Sequence, residues 1–293
     1  MAASNEGLMG RVVAVTGAAR GMGRAYVEGF LSSGARVVAT DKSWADAGEL
    51  RDRIEDAGAL VLEMDVSDNA QVGDAYEATL KEFGTVDVLI NNAALVTAFL
   101  TPTGKRTTLE TTDEDWETML GVNLMGTLRV TRRFIQPMIE KRRGSIINVV
   151  SSGILNFSRG AAFTALRPWS QEMPYQATKA AVAAMSFYLA EEMKQHNVAV
   201  NILIPGHSRG AWFDDTMRAR VAAGINPGIR PVVPEHIVPI ARYLACQDGS
   251  GITGRMFPVM EWNEEHGLGG YETWADTTMP ADLNEAYDSQ SRA

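Results

Sequence analysis

The chain has 293 residues, of which 45% are hydrophobic, and a formal net charge of −9 at neutral pH. The hydrophobic content excludes a globally disordered chain, and the acidic balance argues against a nucleic-acid or anionic-membrane partner, because both require clustered Lys and Arg. Because there is one cysteine, Cys246, and neither a signal-peptide core nor the ~18 unbroken apolar residues of a membrane span, we expect a soluble, cytoplasmic protein without disulfides.

Short apolar runs rich in β-branched residues recur along the chain and predict strands. In chain order they are Arg11–Val15, Ala35–Thr40, Ala59–Met64, Val86–Ile90, Ser145–Val150, Val198–Ile204 and the weaker Met256–Met260. Most are continuously hydrophobic, which is typical of parallel strands covered on both faces. Helical patterns lie between them, at residues 22–33, 45–57, 69–83, 113–142, 174–196 and 234–246. This alternation predicts an α/β fold, a doubly wound parallel sheet of about seven strands with helices on both faces.

Three segments fit neither a strand nor a helix well. Residues 154–173 and 206–233 carry aromatic side chains and prolines. Long loops in a compact domain are usually functional lids or disordered ends, so we expect both segments to be loops over a substrate. The polar segment at 263–293 is expected to be a C-terminal arm. No linker or repeat interrupts residues 1–262, which therefore predict a single domain.

The first predicted strand runs directly into a glycine-rich turn, which is followed by a helical pattern. The turn contains Gly17, Arg20, Gly21, Met22 and Gly23. Glycines let the backbone turn sharply and approach a pyrophosphate, and a helix N-terminus then offers free N–H groups. The alternative is an ordinary strand-to-helix turn, but the position after the first strand favours a dinucleotide site.

Asp41 ends the second predicted strand. A carboxylate at this place accepts hydrogen bonds from the adenosine ribose hydroxyls and repels a 2′-phosphate, which favours NAD. Arg20 and Lys42 point the other way, because a nearby cation could receive the phosphate of NADP. A solvated turn aspartate is the alternative interpretation of Asp41.

When the glycine turn is taken together with motifs further along the chain, the sequence resembles the short-chain dehydrogenase/reductase family over roughly residues 8–260. The matching motifs are Thr16–Gly23, Asp65-Val66, Asn91-Asn92-Ala93-Ala94, Asn123 in Val-Asn-Leu-Met-Gly, Ser151-Ser152, Tyr175-Gln-Ala-Thr-Lys179 and Pro205-Gly206. The resemblance implies a Rossmann-like fold, a nicotinamide coenzyme, a Ser–Tyr–Lys centre with a supporting Asn, and a homotetramer or homodimer.

Tyr175 and Lys179 stand four residues apart near the start of a helical pattern, so they share one face of the helix. A free phenol, with a pKa of ~10, is a poor base at neutral pH. An ammonium ~6 Å away favours the phenolate by about 2–3 kcal/mol at an effective dielectric constant of ~20. This pairing brings Tyr175 toward the range of a general acid/base, although the same pair also occurs on ordinary helices.

Ser152 ends the fifth predicted strand, where ligands collect in an open α/β sheet. Its hydroxyl could donate to a substrate oxygen as negative charge builds there. Ser151 is the competing candidate, and similarity to the family favours Ser152. Asn123 lies inside a predicted helix, where an amide is a poor helix former. The resemblance implies that Asn123 distorts this helix and holds a water that passes protons to Lys179.

The resemblance also extends the candidate coenzyme contacts. The additional residues are Asp65, Val66, Asn92, Ala93, Pro205 and Gly206, together with Tyr175 and Lys179. The family commonly has a Thr after the Pro-Gly pair that hydrogen-bonds the carboxamide, but Gly210 stands near the corresponding place. Ser208 is the candidate substitute.

Candidate substrate contacts are Phe163, Trp169, His207 and Trp212, which lie in the two predicted loops. Aromatic side chains could line an apolar pocket or pack the loops onto the domain. No His, Asp or Glu spacing resembles a metal site, and His236 is expected to be an isolated surface or helix residue.

The sequence therefore predicts an oxidoreductase that transfers a hydride between NAD and a secondary alcohol or its ketone, possibly cyclic or aromatic. One alternative is an NADPH-dependent carbonyl reductase, which Arg20 favours. An alternative of another class is a catalytically silent nicotinamide-binding sensor or scaffold, although the complete Asn–Ser–Tyr–Lys set argues against it.

Overall fold

The computed structural model describes residues 7–154, 172–210, 212–225 and 228–290. Its centre is a seven-stranded parallel sheet in the order β3-β2-β1-β4-β5-β6-β7. The strands are β1 Val12–Thr16, β2 Arg36–Asp41, β3 Leu60–Glu63, β4 Val88–Asn91, β5 Gly144–Val149, β6 Val198–Ile204 and β7 Met256–Pro258. This sheet confirms the predicted Rossmann-like, single-domain α/β fold.

Helices cover both faces of the sheet. They are α1 Gly21–Leu31, α2 Gly48–Asp56, α3 Asn69–Phe83, α4 Asp113–Met119, α5 Thr127–Phe134, α6 Gln136–Lys141, α7 Tyr175–Met193, α8 Phe213–Ala222, α9 Val238–Ala245, α10 Val259–Glu265, α11 Tyr271–Trp274 and α12 Ala281–Gln290.

Alternation along the buried strands divides the core into two layers. Val13 and Val15 of β1 face the layer that contains α1 and α9, whereas Val12 and Ala14 face the layer that contains α3 and α5. All four side chains are at most 1% exposed. Successive residues of a strand point to opposite faces, so a strand covered on both sides is mostly apolar along its whole length.

Three predicted elements differ from the structure. Residues 206–233 were expected to form a loop, but they contain helix α8. The helical pattern at 113–142 is interrupted by a π-helical turn, Leu120–Gly126, between α4 and α5, and divided again between α5 and α6. Residues beyond 263 were expected to lack regular structure, but they contain the end of α10, then α11 and α12. Helix α11 has four residues and none of them is buried, so it gives no periodic signal, whereas the four-residue spacing of Met279, Leu283 and Tyr287 is helical.

Within the residues that the structure describes, no helix has both the length and the apolar character needed to cross a membrane. The same residues contain no group of three or more His, Cys, Asp or Glu side chains arranged to hold a metal ion.

Candidate active site

The carboxyl ends of the parallel strands meet at one edge of the sheet. Chain order reverses between β1 and β4, which are neighbours although β2 and β3 intervene in the sequence. In an open α/β sheet, a ligand crevice forms at this switch point because the loops on either side diverge.

The turn between β1 and α1 is too tight for side chains at its glycines. Gly17 and Gly21 have φ angles of +66° and +53°, which favour glycine. A Cβ on Gly23 would lie 1.8 Å from the carbonyl oxygen of Gly17, so only a hydrogen fits. The N-cap residue of α1, Arg20, makes no side-chain cap. A backbone cradle beside an uncapped helix N-terminus suits a pyrophosphate. Met22, the remaining predicted residue of the turn, packs against the core.

The loop after β4 is fastened to this turn. Nδ2 of Asn92 donates to the carbonyl oxygens of Thr16 and Gly17, both at 3.0 Å. The backbone N of Ala93 donates to Oγ1 of Thr16 at 3.0 Å. A Cβ on Gly17 would lie 2.8 Å from the Cα of Ala93. Asn92 and Ala93 are therefore brought against the glycine turn, as the motif order predicts.

Asp41 reaches back from the end of β2 to the same turn. Its Oδ2 accepts a hydrogen bond from the backbone N of Ala19 at 2.9 Å. Lys42 does not remain an unpaired cation here, because its Nζ lies 2.8 Å from Oδ2 of Asp65. Burial raises the pKa of Asp65, but Lys42 and hydrogen bonds from Ser67 lower that pKa overall. Arg20 is exposed.

Val66, the neighbour of Asp65, lies beneath the π-helical turn. Its side chain is 7% exposed, and a Cβ on Gly126 would lie 2.7 Å from its Cγ2. The absence of a side chain at Gly126 therefore lets the helix approach the loop after β3 closely.

Tyr175 and Lys179 lie at the N-terminal end of α7, one turn apart. Nζ of Lys179 lies 5.8 Å from the centroid of the Tyr175 ring, the side-by-side placement that the four-residue spacing predicts. It donates to the carbonyl oxygen of Val149 at 2.9 Å. Lys179 is 4% exposed, and burial lowers its pKa to about 8 because desolvation disfavours the ammonium. A lysine so placed exchanges protons near neutral pH.

Asn123 occupies the centre of the π-helical turn and is fully buried. Its Oδ1 accepts from the backbone N of Leu95 at 2.8 Å, and its Nδ2 donates to the carbonyl oxygen of Leu95 at 3.0 Å. Nδ2 also donates to Oγ1 of Thr178 at 2.9 Å. The widened turn thus lets one amide connect the loop after β4 to α7, next to Lys179.

The two serines after β5 have different surroundings. Ser151 is buried, and its Oγ accepts a hydrogen bond from Nε2 of Gln176 at 3.1 Å. Ser152 begins a short 3₁₀ turn, Ser152–Ile154, and is half-buried. Ser151 therefore has a structural partner on α7.

His236 was expected to be an isolated surface or helix residue; it lies in a 3₁₀ turn, Pro234–Ile237, but it is neither isolated nor at the surface. Its side chain is completely buried, and its Nε2 accepts a hydrogen bond from the backbone N of Gly206 at 3.0 Å. Nδ1 lies 2.8 Å from the carbonyl oxygen of Val233, so Nδ1 carries the proton and donates. Burial lowers the pKa of His236 to about 4. The histidine holds the Pro205-Gly206 segment in place, and a lone histidine thirty residues further along the chain gives no sequence signal for this role.

The segment after Pro205-Gly206 carries two further predicted residues. Oγ of Ser208 is buried and has no hydrogen-bond partner among the described residues. An unpaired buried hydroxyl is costly unless a ligand completes it. The ring of His207 packs 5.3 Å from that of Phe213, centroid to centroid.

Two exposed aromatic rings meet where the loops after β4 and β6 approach each other. The centroids of Phe99 and Trp212 lie 6.4 Å apart, and these residues are 50% and 45% exposed. Nε of Arg220 donates to the carbonyl oxygen of Thr103 at 2.7 Å and joins the two loops. The sequence analysis did not identify Phe99, because only the folded chain brings this residue next to Trp212. The predicted substrate residues Phe163 and Trp169 lie outside the described residues.

These features define a dinucleotide-binding α/β enzyme with a Tyr–Lys pair beside the strand-end crevice. Residues 11–218 match the family model described as short chain dehydrogenase, and the chain belongs to this family. It is an oxidoreductase of the short-chain alcohol dehydrogenase/ketone reductase type, which acts by hydride transfer with a nicotinamide coenzyme.

Individual proteins similar to this chain are also short-chain dehydrogenases or reductases. The chain is 52% identical over 280 residues to fluoren-9-ol dehydrogenase of Terrabacter sp. (strain DBF63), covering 95% of this chain and 78% of that protein. It is 30% identical to the 3-oxoacyl-(acyl-carrier-protein) reductase FabG of Salmonella typhimurium, covering 85% of this chain and 96% of that one. A short-chain type dehydrogenase/reductase from Mycobacterium marinum superimposes with a TM-score of 0.71 at 23% identity, covering 86% and 94% of the two chains.

Proposed function

We propose that the protein oxidises a cyclic or aromatic secondary alcohol with NAD, or catalyses the reverse reduction, and that Tyr175 is the general acid/base. The observation that carries the proposal is the buried Lys179, whose Nζ lies 5.8 Å from the Tyr175 ring centroid beside the strand-end crevice. The 52% identity to a fluoren-9-ol dehydrogenase supports the substrate class.

The described residues fit a nicotinamide dinucleotide. The tight turn at Gly17, Gly21 and Gly23 lets a pyrophosphate approach the backbone, and the Ser208 hydroxyl, which has no partner in the described part of the chain, suits a carboxamide. When bound, the coenzyme accepts a hydride from the carbinol carbon or returns it to a ketone.

The other coenzyme contacts in the proposal are the predicted ones. They are Arg20, Met22, Asp41, Asp65, Val66, Asn92, Ala93, Tyr175, Lys179, Pro205 and Gly206.

Tyr175 takes the hydroxyl proton of the alcohol, and the Ser152 hydroxyl donates a hydrogen bond to the same oxygen and orients it. Lys179 stabilises the phenolate through its charge and passes the proton onward, which its pKa of about 8 makes feasible near neutral pH. Asn123 holds the loop after β4 against α7 through Leu95 and Thr178, so that the proton path keeps its geometry. In ketone reduction the same residues act in reverse.

NAD is favoured over NADP by the position of Asp41. Its carboxylate reaches the glycine turn, where it repels a 2′-phosphate, and Lys42 is engaged by Asp65. Exposed Arg20 favours the second candidate, an NADPH-dependent carbonyl reductase. Comparing kcat/KM with the two coenzymes distinguishes them, and Asp41→Ala should raise the relative efficiency with NADP.

An aromatic substrate is supported by the Phe99 and Trp212 side chains, which are 50% and 45% exposed where the loops after β4 and β6 approach each other. Stacked aromatic contacts contribute about 0.5–1.5 kcal/mol beyond the apolar area that they bury. Phe163, Trp169 and His207 remain further candidate substrate contacts.

We also propose a homotetramer or homodimer in the cytoplasm, with residues 1–262 as the catalytic domain and 263–293 as an arm. Exposed apolar side chains on α7 and the π-helical turn support an interface between copies. Tyr188 is 75%, Phe187 43% and Met125 38% exposed.

The experiment follows nicotinamide absorbance with fluoren-9-ol and a panel of secondary alcohols, with wild-type protein and Tyr175→Phe. The variant removes only the hydroxyl and should lose about 10²–10⁴-fold in kcat, with a far smaller loss of coenzyme affinity. Near-wild-type turnover in Tyr175→Phe would refute the role of this residue. Coenzyme binding by the wild type without hydride transfer across the panel would instead favour a sensor or scaffold.

A further inference from the structure

The C-terminal segment, defined here as residues 274–290, lies on the loop that follows β6. The backbone N of Val233 donates to the carbonyl oxygen of Trp274 at 2.8 Å, and the N of Asp276 donates to that of Pro231 at 2.9 Å. Val232, between them, pairs antiparallel with Ala275 and parallel with Ser208. A ladder of three backbone stretches therefore connects the C-terminal segment to the residues just beyond Pro205-Gly206.

An apolar cluster fastens the same segment to α8. Its members are Phe213, Met217, Met279, Leu283 and Tyr287, and all are at most 8% exposed. Ion pairs surround it, because Arg218 reaches Asp282 at 2.8 Å and Arg230 reaches Asp288 at 2.7 Å. This burial packs the segment, which belongs to the proposed C-terminal arm, firmly against α8.

Arg209 joins the loop, α8 and the C-terminal segment at one point. Its Nε and Nη2 donate to the Asp214 carboxylate at 2.8 and 2.5 Å. Its Nη1 lies 3.7 Å from Oδ2 of Asp276 and 3.5 Å from the carbonyl oxygen of Thr278. Asp276 is 3% exposed, and its other oxygen accepts from the backbone N and Oγ1 of Thr278 at 2.8 and 2.7 Å. A carboxylate so buried requires its ionic and hydrogen-bonding partners.

This junction borders the glycine turn. A cavity of about 460 Å³ at the N-terminus of α1 is lined on one side by Arg20 and Gly21 and on the other by Gly210, Asp276 and Thr278. A Cβ on Gly21 would lie 3.5 Å from the Cα of Gly210, so the loop crosses directly over the first turn of α1.

We infer that the C-terminal segment forms the outer wall of the dinucleotide site and that Asp276 is a positioning residue, which holds the 206–210 loop across the glycine turn through Arg209. The inference rests on the proposed coenzyme site. Arg209 is already engaged by two carboxylates, so its role is to tie the loop rather than to bind the coenzyme. A loop held closed over a bound ligand slows dissociation of that ligand.

The variant Asp276→Asn tests the Arg209–Asp276 ion pair separately from the other contacts of the segment. The asparagine Oδ1 still accepts from Thr278, so the local turn is retained while the charge opposite Arg209 is lost. Asp282→Asn is the matched control, because it removes a carboxylate from another ion pair of the same segment, Arg218–Asp282, at the outer face of α12. Arg209→Gln removes the other partner of the Arg209–Asp276 ion pair, and it replaces Asp276→Asn in the experiment if that variant does not fold.

The assay measures NAD dissociation rate and Kd by stopped-flow and equilibrium fluorescence, together with Tm and the split between KM and kcat. Asp276→Asn and Arg209→Gln should raise the dissociation rate about fivefold or more, the effect of one partly buried charged contact, with kcat less affected than the coenzyme KM. Asp282→Asn should stay within about twofold of wild type, since exposed ion pairs contribute little.

If Asp276→Asn and Arg209→Gln release NAD as slowly as Asp282→Asn, the inference is overturned while the proposed function stands. If the wild-type protein binds neither NAD nor NADP, the proposed function fails and the inference fails with it.

Discussion

Mild acid should destabilise this protein through His236, independently of any ligand. The imidazole is completely buried as the neutral form, and its pKa falls from 6.5 to about 4 because burial penalises the imidazolium. Neighbouring Glu235 favours the charged form but is itself paired with Arg24 at 2.5 Å. Protonation of Nε2 would also replace the acceptor of the Gly206 N–H with a second donor.

Because the pKa of His236 is lower in the folded chain than in the unfolded chain, the free energy of unfolding decreases as the pH falls. The unfolded chain binds the proton more tightly than the folded chain, so stability from the neutral imidazole is present above pH 6.5 and declines as the pH falls toward 4. A tenfold change in proton affinity is worth about 1.4 kcal/mol, so the whole shift corresponds to about 3 kcal/mol. About 2 kcal/mol of this is lost by about pH 5.

The assay is urea unfolding at about pH 7 and about pH 5 with wild-type protein and His236→Gln. Glutamine retains an acceptor and a donor but does not titrate, so the variant should lose about 2 kcal/mol less than wild type between these pH values. His266→Gln is the control, because His266 is exposed beside Trp262. If His236→Gln and wild type lose the same free energy of unfolding, the buried neutral imidazole is not the cause of the acid sensitivity.

Two further predictions concern the coenzyme turn and the aromatic pair. Gly23→Ala places a Cβ 1.8 Å from the backbone oxygen of Gly17, so it should lower the free energy of unfolding by about 1–3 kcal/mol and abolish coenzyme binding. The control is Gly73→Ala on α3, where the new Cβ meets open space, and this variant should stabilise the protein by about 0.5–1 kcal/mol in the same unfolding measurement. If both variants changed the free energy of unfolding equally, the steric requirement for glycine at position 23 would be contradicted. Phe99→Leu and Trp212→Leu should each raise KM for fluoren-9-ol by about 3–10-fold and leave KM for an aliphatic secondary alcohol unchanged; a uniform effect on both substrates would argue against stacking.

A single sequence determined the α/β class and most of the parallel sheet. Runs such as Val12–Val15 are apolar throughout because both faces are covered, and this local property can be read from the linear chain. The glycine turn was equally accessible, since steric exclusion at Gly23 acts over a few neighbouring residues. The four-residue spacing of Tyr175 and Lys179 fixed their common helix face before any tertiary contact was known.

Tertiary structure decided the features that depend on residues far apart in the chain. Asn123 connects Leu95 to Thr178, and His236 holds Gly206 from thirty positions away. The C-terminal segment carries an apolar stripe of helical spacing at Met279, Leu283 and Tyr287, but only the folded chain shows that this stripe packs against Phe213 and Met217 of α8. Patterns in a sequence report local backbone preference and burial, whereas a contact between distant segments exists only when the sheet order and the loops bring their side chains together.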